Sequence, residues 1–151
     1  MSDIAPPLLV DAMLGRLARW LRHIGYDAAY LPDTDDHTLV QMARSESRVI
    51  LTADRGVAAR RGVQTVLIKS YVLEEQIAQV QEAIGHPPEP VSPRCGKCNT
   101  PLEVLHAGQA KGRVPPYILR SHHEFTHCPG CRRVYWRGTH WQAIQKVAAA
   151  K

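Results

Sequence analysis

The chain has 151 residues, of which 44% are apolar, and a formal net charge of +5 at neutral pH. This length suits one domain of ordinary size, or a small domain joined to a metal-stabilised module. No apolar run approaches the ~20 residues of a membrane span, and the first residues lack the pattern of a signal peptide. The sequence therefore predicts a cytoplasmic protein with no membrane partner.

Strands and helices are predicted to alternate along residues 1–85. In chain order they are a strand at Leu8–Val10, a helix over 13–24, a strand over 27–31, a helix from Asp35 or Asp36 to about 45, a strand at Val49–Thr52, a short helix from Asp54 to about 61, a strand over 63–68 and a helix at Leu73–Ile84. This alternation favours a parallel sheet with right-handed crossovers. The predicted fold is a small three-layer α/β domain.

A change of composition follows this domain. Residues 86–93 contain four prolines, which predicts a stiff, extended linker. Residues 1–85 carry nine basic and eleven acidic side chains, whereas the chain from Cys95 onward carries nine basic and two acidic ones. A basic module of this kind is typical of nucleic-acid binding, and the alternative is that its charge serves solubility alone.

The four cysteines of the chain form two pairs with a two-residue gap, Cys95 with Cys98 and Cys128 with Cys131. Two such pairs can place four sulfurs around one tetrahedral Zn²⁺ ion. We therefore predict structural zinc in a module over residues 94–151, which ends in a short Ala-rich helix. Structural disulfides or a redox pair are the alternative, which a reducing cytosol disfavours. The remaining candidate zinc ligands are His122, His123 and His127.

Aspartates stand at the ends or starts of several predicted elements. Asp11 ends the first strand, Asp54 follows the Val49–Thr52 strand, and Asp35 and Asp36 begin a helix. Ligands of open α/β sheets bind at the carboxyl ends of the strands. Carboxylate oxygens without nearby His or Cys favour Mg²⁺ or Mn²⁺, and such ions can activate water to attack a phosphodiester. The alternative is that these aspartates only cap helices.

Several motifs in chain order resemble the Mut-seven C-terminal RNase family, a PIN-like nuclease group. They are Val10-Asp-Ala-Met-Leu-Gly-Arg-Leu-Ala-Arg-Trp-Leu-Arg22, Gly25-Tyr26-Asp27, Asp35-Asp36-His-Thr-Leu39, Leu51-Thr-Ala-Asp-Arg-Gly56 and Cys128-Pro-Gly-Cys-Arg-Arg-Val-Tyr-Trp-Arg-Gly-Thr-His-Trp141. The resemblance implies a PIN-like fold, metal-dependent cleavage of RNA and a fused zinc ribbon.

The resemblance also implies roles for the aspartates. Asp11 and Asp54 resemble the family's acids at the ends of the first and third strands, and Asp35 or Asp36 resembles its helix acid. Many PIN nucleases carry a fourth acid shortly after the one that Asp54 matches. Here no carboxylate follows Asp54 until Glu74, so the site is expected to hold one metal ion firmly and a second only with substrate.

Basic residues near these acids are candidates for binding RNA. Arg16, Arg19 and Arg22 recur every three residues after Asp11, and Arg55 follows Asp54 directly. Such side chains can hold phosphate oxygens. For Arg22 the alternative is a solvated basic face.

A second basic group lies near the last cysteine, where Arg132, Arg133 and Arg137 surround Tyr135 and Trp136. Aromatic rings can stack on unpaired bases while arginines hold the backbone. In a small module the rings also serve as core, and we expect at least one tryptophan to do so.

The leading hypothesis is a metal-dependent endoribonuclease whose aspartates hold Mg²⁺ or Mn²⁺, with a zinc ribbon that aids stability and RNA binding. The alternative is a non-catalytic RNA-binding adaptor with a degenerate site. A phospho-receiver domain would need about five βα units, more than 85 residues supply. The amphipathic helix at Leu73–Ile84 could support a homodimer.

Overall fold

The computed structural model of the chain describes residues 4–88 and 91–138. Four strands and four helices alternate in its first part, and a 3-10 turn at Ala12–Leu14 precedes the first helix. They are β1 (Leu8–Val10), α1 (Gly15–Ile24), β2 (Ala28–Tyr30), α2 (Asp36–Glu46), β3 (Val49–Thr52), α3 (Arg55–Ala58), β4 (Thr65–Leu67) and α4 (Leu73–Ile84). Every element predicted for residues 1–85 is present, although the helix after Asp54 and the second and fourth strands are shorter than expected.

The four strands form one parallel sheet in the order β2-β1-β3-β4. Val10 pairs with Tyr30 on one side and with Leu51 on the other, so the strands end together at one edge, which we call the carboxyl edge. Successive side chains of a strand point to opposite faces. Leu8 and Val10 accordingly join the core that contains α1 and α4, and Leu9 joins the core that contains α2. The predicted α/β architecture is confirmed.

The start of α1 is fixed by a close contact with β2. The Tyr30 hydroxyl donates a hydrogen bond to the Ala12 carbonyl oxygen at 2.7 Å. A Cβ atom added to Gly15 would lie 2.9 Å from the Tyr30 hydroxyl oxygen, closer than non-bonded heavy atoms normally approach. Glycine at position 15 therefore lets the turn after Asp11 pack tightly on Tyr30.

Helix α4 buries its apolar face in the core of the α/β domain. Leu73, Ile77 and Val80 are buried in the same core as α1. This helix therefore does not offer the exposed apolar face on which the homodimer prediction was based, and dimerisation stays a prediction. None of the helices in the described ranges is both long and apolar enough to cross a bilayer.

The second part of the chain contains a separate, antiparallel sheet, and we call residues 94–138 the ribbon. The sheet has the order β5-β6-β7, and a small apolar core packs beside it. Its elements are β5 (Glu103–Leu105), α5 (Ala107–Ala110), α6 (Pro116–Ser121), β6 (Phe125–His127) and β7 (Val134–Trp136). The predicted Ala-rich terminal helix lies outside the described residues.

Arg22 joins the ribbon to the α/β domain. The residue is 7% exposed. Its Nε donates to the Ala28 carbonyl oxygen and its Nη1 donates to the Gly96 carbonyl oxygen, each at 2.7 Å. Burial lowers the pKa of Arg22, and the nearby Cys95, Cys98 and Asp27 partly offset that effect. Arg22 therefore makes an interdomain contact. It is neither of the two alternatives predicted for it, a phosphate ligand or part of a solvated face.

Asn99 makes a second contact between the two parts. It adopts a positive φ of 65°, which asparagine tolerates better than most residues. Its Nδ2 donates to Asp27 Oδ1 at 2.7 Å, and its Oδ1 accepts from the Ala28 amide at 3.1 Å. Burial would raise the pKa of Asp27, but hydrogen bonds from Arg48 and Asn99 outweigh it and lower that pKa. The ribbon thus docks on the outer edge of β2.

The proline-containing segment between the two parts also packs against the domain. A Cβ atom on Gly25, whose φ is 120°, would lie 3.0 Å from a methyl group of Val91 and 3.4 Å from Cβ of Pro87. Pro87 is buried. The described residues of the predicted linker therefore lie along the end of α1.

Candidate functional site

Asp11 lies at the carboxyl edge, directly after β1. Its backbone amide donates to the Leu51 carbonyl oxygen at 2.9 Å, which continues the ladder between β1 and β3. Its Oδ1 accepts a hydrogen bond from the Ala12 amide at 2.7 Å, so the side chain caps the 3-10 turn. Strand pairing on one side and this cap on the other fix the carboxylate at the edge of the sheet.

Thr52 connects Asp11 to Asp54. The Thr52 hydroxyl donates to Asp11 Oδ2 at 2.7 Å and accepts from the Asp54 amide at 3.0 Å. Thr52 is fully buried. Asp54 Oδ1 in turn accepts from the amides of Gly56 and Val57, at 2.7 and 3.3 Å, and so caps α3. One buried hydroxyl therefore ties both predicted acids to the same edge.

Thr52 was not among the site residues predicted from the sequence. Its signal in the sequence is a hydroxyl residue that ends an otherwise apolar strand two positions before an aspartate. Threonine is common in strands for reasons unrelated to any site, so this signal is weak without the structure.

We expect Thr52→Val to destabilise the fold by about 1–3 kcal/mol, because the Asp54 amide loses its partner while the side-chain shape is kept. Urea unfolding of the two proteins measures this difference. Thr126→Val, which changes a half-buried threonine of the ribbon, is the matched control. Equal unfolding midpoints for Thr52→Val and the wild type would contradict the role of the hydroxyl.

Asp35 and Asp36 differ in what their carboxylates do. Asp35 Oδ1 accepts from the Thr38 amide at 2.7 Å and caps α2, and hydrogen bonds from Thr38 lower the pKa of Asp35. Asp36 lies in the first turn of α2 and is exposed. Capping therefore accounts for Asp35, whereas it does not account for Asp36.

The structure brings the predicted acids together only in part. Asp11 and Asp54 share Thr52 as a hydrogen-bonding partner. Within residues 4–88 and 91–138, however, only the four cysteines form a group of three or more Asp, Glu, His or Cys side chains whose ligand atoms lie within 4.8 Å of one another. The carboxylates of Asp35 and Asp36 are thus not gathered with the other two at ligand distance. Oxygen donors such as these still match the preference of Mg²⁺ and Mn²⁺.

A pocket of about 520 Å³ lies at the carboxyl edge beside these acids. Neither Asp11 nor Asp54 lines it, but residues near them in sequence do: Met13, two positions after Asp11, and Ala53 and Arg55, on either side of Asp54. Basic and aromatic groups join them, namely Arg16, Lys69 and the fully exposed Tyr71. Arg16 and Arg55 were predicted to contact RNA. Lys69 and Tyr71 were not, because only the fold brings the end of β4 to this edge.

The four cysteines form a compact cluster, and the structure shows them as free thiols. All four sulfurs lie within 4.8 Å of one another. Cys95 Sγ and Cys131 Sγ are 3.7 Å apart, close to the ~3.8 Å expected between sulfurs bound to one tetrahedral zinc. The donor set and its spacing fit a structural zinc ion, as predicted, and leave no coordination position for catalysis.

The surroundings of the cysteines favour a bound cation. Burial would raise the pKa of Cys95, but the Tyr135 hydroxyl, at 3.1 Å from the sulfur, and nearby backbone amides lower it to about 7. A hydrogen bond with Cys131 raises the pKa of Cys98 to about 12, and burial and the neighbouring thiolates add to this effect. Thiolates repel one another unless a cation lies between them, so a bound zinc ion would let all four ionise together.

The predicted RNA-binding residues of the ribbon lie at or near its surface. Arg132, Arg133 and Arg137 are exposed, whereas Tyr135 and Trp136 are half-buried. Trp136 packs against the small ribbon core, as predicted for at least one tryptophan. Trp141 lies outside the described residues. Arg19, on α1, is exposed and lies beside Gly96 of the ribbon.

A family model described as the Mut7-C RNAse domain matches residues 6–148. No curated protein and no solved structure gives a significant match. The match covers both the parallel sheet with its acidic edge and the ribbon with its four cysteines. The chain therefore belongs to the Mut7-C RNAse domain family.

Proposed function

We propose that the protein is a metal-dependent endoribonuclease that hydrolyses RNA phosphodiesters at the carboxyl edge. The observation that carries this proposal is the pair Asp11 and Asp54, held by one buried threonine beside a pocket lined with basic side chains. Membership of an RNase domain family supports the same activity.

Asp11, Asp54 and Asp36 would hold the metal ion, in part through the waters that Mg²⁺ keeps, because the three carboxylates do not all lie within 4.8 Å of one another. Oδ2 of Asp54 and the carboxylate of Asp36 accept no hydrogen bond from another residue within the described ranges, so they can bind a cation without losing a partner. Asp35 supports the start of α2. A bound Mg²⁺ or Mn²⁺ would supply a Lewis acid that activates water at neutral pH. Hydrolysis of the RNA is expected to leave a 5′-phosphate and a 3′-hydroxyl.

The chain's own basic groups would orient the RNA. Arg16, Arg55 and Lys69 line the pocket next to the acids, where they can bind the phosphates that flank the bond to be cut. Arg132, Arg133 and Arg137 provide a second set of phosphate contacts on the ribbon. The free thiols suit the reducing cytoplasm, where the protein is expected to act.

An RNA-binding adaptor is the second candidate. Asp11, Asp35 and Asp54 all serve as N-caps, and capping alone is sufficient to explain their presence. In that case the basic edge and the ribbon would bind RNA without cutting it.

Cleavage of labelled single-stranded and structured RNA distinguishes the ribonuclease from the RNA-binding adaptor. We expect cutting with added Mg²⁺ or Mn²⁺, and none in a desalted buffer that lacks divalent ions but leaves the structural zinc in place. Zinc content must be measured in both samples, because a chelator would also attack the ribbon. RNA binding without cutting under every metal condition would favour the adaptor.

A further inference from the structure

A second pocket, which we call the aromatic cleft, lies between α1 and the ribbon. Its volume is about 220 Å³. Rings and apolar groups dominate its walls, namely Trp20, His23, Pro93, Leu102, Tyr135 and Trp136. It is separate from the pocket at the carboxyl edge, and none of the residues that line one pocket lines the other.

The rings of the cleft support one another. His23 packs edge-to-face on Trp20, with ring centroids 5.3 Å apart, and edge-to-face on Tyr135, with centroids 5.0 Å apart. Burial and the nearby Arg19 lower the pKa of His23 to about 4. The wall is therefore a continuous, uncharged aromatic surface at neutral pH, and it is built from both parts of the chain.

The size and lining of the cleft suit a single planar group. Its volume lies below the roughly 300–1,000 Å³ of pockets for drug-sized molecules. Glu124, Thr126 and Arg137 also line it, so acceptor and donor groups adjoin the rings. A ring that stacks on the aromatic wall would find hydrogen-bonding partners at its edge, which is the way proteins read unstacked bases.

Helix α1 connects the aromatic cleft to the carboxyl edge. Arg16 lines the pocket at that edge, and Trp20 and His23 line the cleft. These three residues recur at the spacing of one helix face, and the seven positions from Arg16 to His23 span about 10 Å. Arg19 is exposed beside them. A polyanion can therefore follow the basic groups along α1 from one pocket to the other.

We propose that the aromatic cleft binds one unpaired base of the RNA substrate, a few nucleotides from the bond to be cut. The proposal rests on the proposed ribonuclease function and extends it, because it assigns single-stranded RNA to the face of α1 that meets the ribbon. Stacking accepts any base, whereas the polar groups at the rim provide a preference for some of them.

An abasic scan tests this proposal. A labelled single-stranded RNA is given one abasic position at a time, and its binding to the non-cutting Asp11→Asn protein is measured by fluorescence anisotropy. We expect one position to weaken binding about tenfold, because the loss of one base–aromatic stack has this order of effect. Removal of bases elsewhere should have a much smaller effect.

A variant of the cleft locates the effect. Trp20→Leu in the same background should bind the intact RNA about tenfold more weakly and should no longer respond to the sensitive abasic position. Tyr117→Leu, which changes an exposed aromatic residue of α6 outside the cleft, should keep the wild-type pattern. Zinc content and melting temperature show whether Trp20→Leu is folded. The abasic scan is made on Asp11→Asn alone, so its result does not depend on whether Trp20→Leu folds.

The outcomes separate this inference from the proposed function. A flat scan, or a Trp20→Leu protein that still responds to the same position, overturns the base-binding role even if the wild type cuts RNA. A single sensitive position in a protein that never cuts RNA supports base binding by the aromatic cleft and contradicts the proposed ribonuclease activity.

Discussion

Asp11→Asn is expected to lower the rate of RNA cleavage by roughly a hundredfold or more and to leave the fold intact. Loss of a partner that only supports a metal ligand typically costs 10–100-fold, and here the proposed ligand itself loses its charge. Asparagine has the same shape as aspartate, and its Oδ1 can still accept from the Ala12 amide that now binds Asp11. The amide group can also donate to the Thr52 hydroxyl, so the capped turn survives.

Single-turnover cleavage with excess enzyme measures this loss without a contribution from product release. Asp33→Asn is the matched control, because Asp33 is an exposed aspartate of the turn before α2 and is not among the proposed ligands. We expect Asp33→Asn to cut at the wild-type rate. If Asp11→Asn cuts as fast as this control, the carboxyl edge is not the catalytic site.

Cys128→Ser is expected to unfold the ribbon and to lower the stability of the α/β domain as well. Cys128 is fully buried in the four-sulfur cluster, and serine is a poor zinc ligand. Structural zinc supplies about 10–16 kcal/mol of apparent binding free energy in zinc-finger peptides. The ribbon core has only five buried apolar residues among those described, which is too few to replace that contribution.

Zinc content per chain and thermal unfolding monitored by circular dichroism measure this effect. The α/β domain should melt at a lower temperature because Arg22 loses the Gly96 carbonyl and Asp27 loses Asn99, which leaves buried polar groups short of partners. Ser121→Ala, an exposed position of the ribbon, is the control. An α/β domain that melts unchanged in Cys128→Ser would show that the two parts are energetically independent.

Much of the fold could be predicted from the sequence, because the element ends are chemically marked. Strand β3 matches its predicted bounds, since the apolar run stops before Asp54, which caps the next helix. Helix α4 also matches, because Gly85 follows it with a φ of 89°. Two cysteine pairs likewise predicted the sulfur cluster, since that spacing has few other uses in a reducing compartment.

Arg22 shows why the remaining details could not be predicted. A spacing of three residues drifts by about 60° at each step around a helix. Arg16 therefore lines the pocket at the carboxyl edge, whereas Arg22 points toward β2 and the ribbon. Gly96, the partner of Arg22, lies in the ribbon. The spacing of apolar residues along a sequence does not indicate which surfaces of the α/β domain and the ribbon come into contact. The same limit applies to Thr52, whose role depends on the neighbouring strand.

The contact between Gly15 and the Tyr30 hydroxyl has a consequence for the history of the family. A side chain at position 15 would collide with the Tyr30 oxygen, and that oxygen secures the turn that presents Asp11. In a member that acquires alanine at position 15, the Tyr30 ring must shift or be replaced. We therefore expect this pair of positions to covary across relatives.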